Sequence, residues 1–172
     1  MKEIKRDLFE CITDPAFDAI CINSNSQFGD DGKAFMSGGS AGVCARRWPQ
    51  TELRLGKCLK NFEDNIPFII GTVDINGDYI EPNLKTIKSG GFKCLIFSFP
   101  TMDNMMDSAK IELIKRSSTL MMQNADRYFL KGIAIGRMGS GTGGLNWNTD
   151  VKPIVSDILD DRFTIVSFPH ED

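Results

Sequence analysis

Residues 132–147 read Gly132-Ile133-Ala134-Ile135-Gly136-Arg137-Met138-Gly139-Ser140-Gly141-Thr142-Gly143-Gly144-Leu145-Asn146-Trp147. The apolar start, Gly132–Ile135, suits a short strand covered on both faces. Five glycines then fall within 136–144. Gly139 to Gly144 matches G-x-G-x-x-G literally. A dinucleotide fold, however, would place that motif at the opening of a helix near the chain start, with several βα units after it. Here 28 residues remain after Gly144. No Gly-Lys-Ser/Thr closes the run, so it is not a P-loop either. What remains is a flexible turn whose N–H groups converge on an anion, because this much glycine costs conformational entropy with no return unless a ligand is held.

Working outward, the runs Phe17–Ile22, Phe68–Val73, Lys93–Phe99 and Phe163–Phe168 are short, continuous and rich in Ile, Phe and Val. They read as further central strands. Residues 2–7 add an N-terminal strand, and Tyr79-Ile80 a hairpin arm after the turn at Asn76-Gly77. Helical patterns lie between. Val151, Ile154, Val155, Ile158 and Leu159 form a buried stripe, with Thr149 or Asp150 as its cap and Pro153 in the first turn. Residues 108–122 form a second helix opened by Asp107 or Ser108, with Glu112 and Arg116 paired at i,i+4. Glu52–Asn61 is a third helix, and the 40s hold a fourth. Strands alternating with helices give an α/β fold on a mixed, largely parallel sheet, whose ligands sit beyond the carboxyl ends of strands.

The bulk composition fits one domain over 1–172. With 41% apolar and 25% charged residues the chain is globular rather than disordered. Twenty basic against 23 acidic residues give a formal net charge of −3, which argues against a strong electrostatic grip on nucleic acid. No run of 18 apolar residues occurs, so no membrane span is expected, and the N-terminus lacks the apolar region of a signal peptide. The five cysteines (11, 21, 44, 58, 94) contain no C-x-x-C pair and no zinc or other metal site is expected. Cys21 and Cys94 lie in apolar runs and read as reduced core residues, pointing to a cytoplasmic location. The one histidine, His170, leaves histidine chemistry to the tail alone.

A second concentration of glycine, five in 29–42, follows the strand ending at Ile22. Its first part reads Asn23-Ser24-Asn25-Ser26-Gln27-Phe28-Gly29-Asp30-Asp31-Gly32-Lys33-Ala34. Amides at a strand end suit sugar hydroxyls, and glycines admit phosphate close to the backbone.

Together these segments resemble the macrodomain family, the α/β/α module that binds ADP-ribose. Arg6-Asp7-Leu8 resembles the family's Gly-Asp-Ile/Leu segment, which implies Asp7 as acceptor for the adenine amine. Ala19–Ser26 resembles the strand ending in Asn-x-x-Asn beside the distal ribose. Here the spacing is Asn23-Ser24-Asn25, one residue shorter, so either Asn23 or Asn25 takes that role. Gly32-Lys33-Ala34 followed by Ala45-Arg46-Arg47-Trp48-Pro49, and Gly139–Trp147 against Gly-Cys-Gly-x-Gly-Gly-Leu-Asp-Trp, are similar to the DarG-like branch, which removes ADP-ribose from DNA. A relation to ADP-ribose 1″-phosphatases is implied alongside. That branch has Phe-Pro-Thr-Lys, its Lys implicated in glycohydrolase chemistry. This chain has Phe99-Pro100-Thr101-Met102, and a thioether transfers no proton and forms no Schiff base.

The resemblance implies a three-layer α/β/α fold, no cofactor, and ADP-ribose or a related nucleotide diphosphate as partner, free or attached to a macromolecule. In a binding module, Gly29, Gly32, Lys33 and Ala34 would face Gly139, Ser140, Gly141, Thr142, Gly143 and Gly144 across the diphosphate. In a hydrolase acting on ADP-ribosyl linkages or on the terminal phosphate of ADP-ribose 1″-phosphate, Asp30, Asp31 and Asn25 would orient a water. In a protein-interaction domain with a decayed site, Trp48, Trp147 and the Met102–Met106 stretch would form an adaptable surface. Trp147 is expected beneath the loop, Arg46-Arg47 at a solvated helix end, and Tyr128 and Phe129 in the core.

Overall fold

The continuous apolar runs become the centre of one sheet. The computed structural model describes residues 1–167; His170 and the last residue of the expected strand, Phe168, lie outside them. Seven strands are formed among the described residues: β1 (Lys2–Lys5), β2 (Ala19–Ser24), β3 (Ile69–Val73), β4 (Tyr79–Ile80), β5 (Cys94–Pro100), β6 (Ile133–Gly136) and β7 (Phe163–Ser167). Their order is β1-β7-β6-β2-β5-β3-β4. The five strands from β1 to β5 in that order run parallel, so their carboxyl ends share one edge. Only β3 and β4 run antiparallel to their neighbours. The sheet is therefore mixed and largely parallel.

Both faces are covered, as central apolar strands require. On one face Ile20, Ile22, Ile70 and Ile96 pack with Leu8, Phe9 and Ile12 of a 3₁₀ turn. The same cluster includes Cys44 and Trp48 around helix α1 (Gly39–Arg47) and Leu55 and Leu59 of α2 (Gln50–Phe62). On the other face Cys21, Leu95, Phe97, Phe99, Ile135, Phe163 and Ile165 meet Ile114, Met121 and Ala125 of a long helix, and Val151 and Val155 near the C-terminus. Three layers result, α/β/α. A short helix α3 (Leu84–Ser89) precedes β5, the long helix α4 (Ile111–Arg127) follows it, and α5 (Lys152–Ser156) precedes β7. All five cysteines are buried and free. Burial pushes the Cys11 thiol up to about 11 and that of Cys94 up to about 12.

Several local expectations are corrected. α4 begins at Ile111 rather than 108, and neither Asp107 nor Ser108 caps it. Residues 108–110 are tied down instead, Ala109 N–H to Gly143 O (2.9 Å) and Lys110 N–H to Thr101 O (2.8 Å). Glu112 pairs with Lys115 (3.0 Å), not with Arg116. Arg116 reaches Asp64 with both guanidinium arms (2.6 and 3.0 Å), and a two-pronged ion pair is preferred over a single contact along the helix. Neither Thr149 nor Asp150 caps α5. Asn146 takes the capping role one turn earlier, its Oδ1 accepting from the amides of Asn148 and Thr149, while Asp150 Oδ2 accepts from Asn146 N–H. A wide π-type turn (Trp147–Val151) then leads into α5. Tyr128 is half-buried against Phe97, but Phe129, at φ 55° and 86% exposed, points outward.

Candidate functional site

A cavity of about 580 Å³ runs along the shared carboxyl edge of the five parallel strands. Its lining follows the strand order. Arg6, Leu8 and Phe9 come from the segment after β1, and Val166 from β7. Gly136, Arg137 and the 139–143 loop follow β6. Asn23, Ser24 and Asn25 close β2, and Thr101, Met102, Met105 and Met106 follow β5. Four inter-strand spacings separate the first group from the last, on the order of 19 Å. The start of α1 (Gly38–Ala41) lies over the middle.

The glycine loop after β6 is held from several sides. Leu145 N–H bonds Gly139 O (3.0 Å), Gly144 N–H bonds Gly141 O (3.0 Å), and Gly143 O accepts from Ala109. Gly139, Gly141 and Gly144 adopt φ of 68°, 82° and 75°, the left-handed region that favours glycine. Trp147 is buried beneath, its indole N–H donating to Glu3 Oε2 (3.3 Å). This scheme leaves the amides of Ser140, Gly141 and Thr142 with no protein acceptor among the described residues. On the facing wall, the amides of Gly39, Ser40 and Ala41 precede the first internal bond of α1, Gly42 N–H to Gly38 O (2.9 Å). A Cβ on Gly42 would lie 2.6 Å from Ser37 O, so glycine there lets the 37–38 backbone close against the helix start. Two sets of unused donors, one of them at a helix N-terminus, thus flank one space.

Only part of the first glycine concentration reaches this space. Gly38 and Gly39 line it; Gly29, Asp30, Asp31, Gly32, Lys33 and Ala34 do not. The 28–34 segment is a small hairpin in which four amides are already used: Gly29 N–H to Lys33 O, Gly32 N–H to Gly29 O, Lys33 N–H to Asp31 Oδ1 and Ala34 N–H to Glu52 O. It packs on α2 so closely that a Cβ on Gly56 would meet Gly32 O at 2.0 Å. The glycines there answer a packing demand. Asp31, Lys33 and Ala34 instead border a second, shallower cavity of about 340 Å³ beside the first.

The two asparagines are used differently. Asn25 is buried and built into the hairpin, donating to Phe35 O (3.0 Å) and accepting from Gln27 N–H (2.9 Å). Asn23 donates to Arg137 O (3.4 Å), and its buried Oδ1 has no partner among the described residues. Asn25→Ala is accordingly expected to cost ~1–3 kcal/mol of stability through the two orphaned backbone groups. Asn23→Ala should leave the melting temperature within a few degrees and weaken ligand binding. Thermal unfolding beside a nucleotide titration separates the two; equal loss of stability in both variants contradicts this division.

Asp7 lies between the lining residues Arg6 and Leu8, and its Oδ1 accepts from Phe9 N–H (2.8 Å). Among the described residues no carboxylate, thiol, imidazole or lysine lines the main cavity; its charged members are Arg6 and Arg137. The strap after β5 went unanticipated as a wall. It is fastened across the mouth by Ser26 N–H and Oγ–H to Asp103 O, by Met105 N–H to Gln27 Oε1 (2.8 Å) and by Ser37 Oγ–H to Met105 Sδ (2.9 Å). The Lys110 ammonium beside Asp103 holds that carboxyl below its usual range. Both tryptophans are buried, so neither contributes to an exposed adaptable surface.

No family model matches the sequence, and no curated protein does. Solved structures do match by shape. Thermosipho africanus DarTG in complex with ADP-ribose superposes with a TM-score of 0.70 at 18% identity, over 99% of this chain and 42% of that one. The present chain thus spans less than half of that protein. The macrodomain of Thermus aquaticus DarG gives 0.68 at 19% identity, covering 98% of this chain and 97% of that one. The macrodomain of Mycobacterium tuberculosis DarG gives 0.68 at 20%, covering 96% and 95%. Layer order, sheet composition and these near-complete superpositions agree: the fold of this chain is the macrodomain fold.

Proposed function

We propose that this protein binds ADP-ribose, free or as a group carried by a macromolecule, without turning it over. The observation that carries the reading is the pair of unused amide sets, Gly39–Ala41 and Ser140–Thr142, on facing walls of one cavity. Neutral dipoles of this kind hold a diphosphate in a protein of net charge −3. Leu8, Phe9, Val43 and Val166 offer an apolar end for adenine, with Asp7 beside it. The carboxylate of Asp7 keeps acceptor capacity beyond its bond to Phe9. Asn23, with its unpaired Oδ1, is the amide offered to the second ribose. Likeness to a DarTG structure that holds ADP-ribose supports the same ligand.

Binding is favoured over hydrolysis by the lining. A water needs an acid or base within reach, and Asp30 and Asp31 lie on the hairpin outside the cavity. Calorimetric titration is expected to give saturable one-to-one heat with ADP-ribose, and proton NMR of ADP-ribose 1″-phosphate incubated with the protein no product over hours. The absence of a saturable signal at high micromolar concentrations overturns binding. Steady release of ADP-ribose and phosphate from ADP-ribose 1″-phosphate overturns the assignment as a binder only.

A further inference from the structure

The two ends of the cavity differ in a way that bears on what the second ribose carries. At the β1 and β7 end, Leu8, Phe9 and Val166 are nearly inaccessible. The β5 end is open: Phe35 is 42%, Met105 40% and Met106 88% exposed. Both charged side chains of the lining, Arg6 and Arg137, lie toward the closed half, after β1 and β6. The open half is walled by Phe35, Thr101, Met102, Met105 and Met106, with no cation in that lining among the described residues; Lys33 borders only the adjoining cavity, together with Asp31 and Glu52. A group attached to something larger must leave through the open end, so the base takes the closed end and the second ribose faces the methionines.

We infer that the methionine-walled end is a subsite for an uncharged aromatic group joined to C1″ of ADP-ribose, and that it selects against a charged one. This rests on the binding reading above and names the ligand class within it. A phosphate placed there would give up the part of its hydration that faces the thioethers and the ring without gaining a cation or a set of amides. Thioethers, in contrast, are polarizable and adaptable and make favourable contacts with ring edges. Met105 is held in place for this by its backbone bond to Gln27 and by the Ser37 hydroxyl at its sulfur. The neighbouring Gly143 brings the glycine loop against the same wall: a Cβ there would lie 3.7 Å from Met102 Cε. The wall is thus continuous with the diphosphate clamp.

The test compares three probes by calorimetry on the full chain: ADP-ribose, its 4-nitrophenyl C1″ glycoside, and ADP-ribose 1″-phosphate. Wild type is expected to bind the nitrophenyl compound about threefold to tenfold more tightly than ADP-ribose. The 1″-phosphate should bind at least tenfold more weakly. Met102→Lys should reverse the order, favouring the phosphate, and Met106→Lys, at an exposed rim position that folding tolerates, should do so more weakly. If wild type binds ADP-ribose but takes the 1″-phosphate as tightly, or gains nothing from the nitrophenyl group, the inference fails while the binding reading stands. If wild type binds none of the three, the binding reading itself fails.

Discussion

Gly139→Ala is expected to weaken ADP-ribose binding at least tenfold while the protein still folds. Gly139 has φ 68°, which an L-residue adopts at a cost of roughly 1–2 kcal/mol. Its Cβ would also sit 2.9 Å from Ile114 Cδ1, 3.0 Å from Ala109 Cβ and 3.0 Å from Leu145 Cδ1. Overpacking of this kind costs ~1–3 kcal/mol. The loop is the softer partner, since Ile114 and Ala109 belong to α4 and the segment that leads into it. The amides of Ser140–Thr142 therefore move away from the facing start of α1. Combining the change with Ile114→Val removes the Cδ1 atom and should restore part of the affinity. Calorimetry on the single and double variants checks both statements. Unchanged affinity in Gly139→Ala contradicts the role given to the loop.

Gly132→Ala is expected to have the largest effect on stability. An added Cβ would lie 1.8 Å from Ala16 O and 2.9 Å from its carbonyl carbon. Both are backbone atoms, so no side-chain rotation relieves the clash. Gly132 O also accepts the amides of Asp18 (2.8 Å) and Ala19 (3.2 Å), and its own N–H donates to Asp18 Oδ2 (3.2 Å). Moving this strand start loosens the entry of both β2 and β6, the two central strands beneath the cavity. A loss of at least ~3 kcal/mol is expected, in the tail reserved for core strain. For a chain of this size that lowers the melting temperature by roughly 10 °C. Thermal unfolding checks it; a shift below a few degrees contradicts the packing described.

The two glycine concentrations show what was legible in the sequence and what was not. The second is local: strand, turn and the buried Trp147 lie within sixteen consecutive residues, and its left-handed positions fall on glycine. The first mixes two purposes. Gly38 and Gly39 open a helix at the cavity, whereas Gly29 and Gly32 form a hairpin that docks on Gly56 of α2. That docking joins residues distant in the chain, and composition alone does not reveal it. The same limit applies to Arg116, whose partner Asp64 is 52 residues away. The methionine wall carries no periodic pattern, because residues 101–110 form neither helix nor strand and are fixed by bonds to residues 24–27, Ser37, Asn65 and Gly143. The strands were legible as continuous apolar runs, the form that buried central strands take, and the helices that cover them as periodic stripes.

The most direct test of the diphosphate site is an amide-resolved NMR titration with ADP-ribose. The largest shifts are expected at Gly39–Ala41 and Ser140–Thr142, with those of Gly29–Lys33 nearly still, because the hairpin lies outside the cavity and the amides of Gly29, Gly32 and Lys33 are already bonded. Large shifts centred on Gly29–Lys33, with the α1 start and the 139–143 loop unmoved, would contradict it.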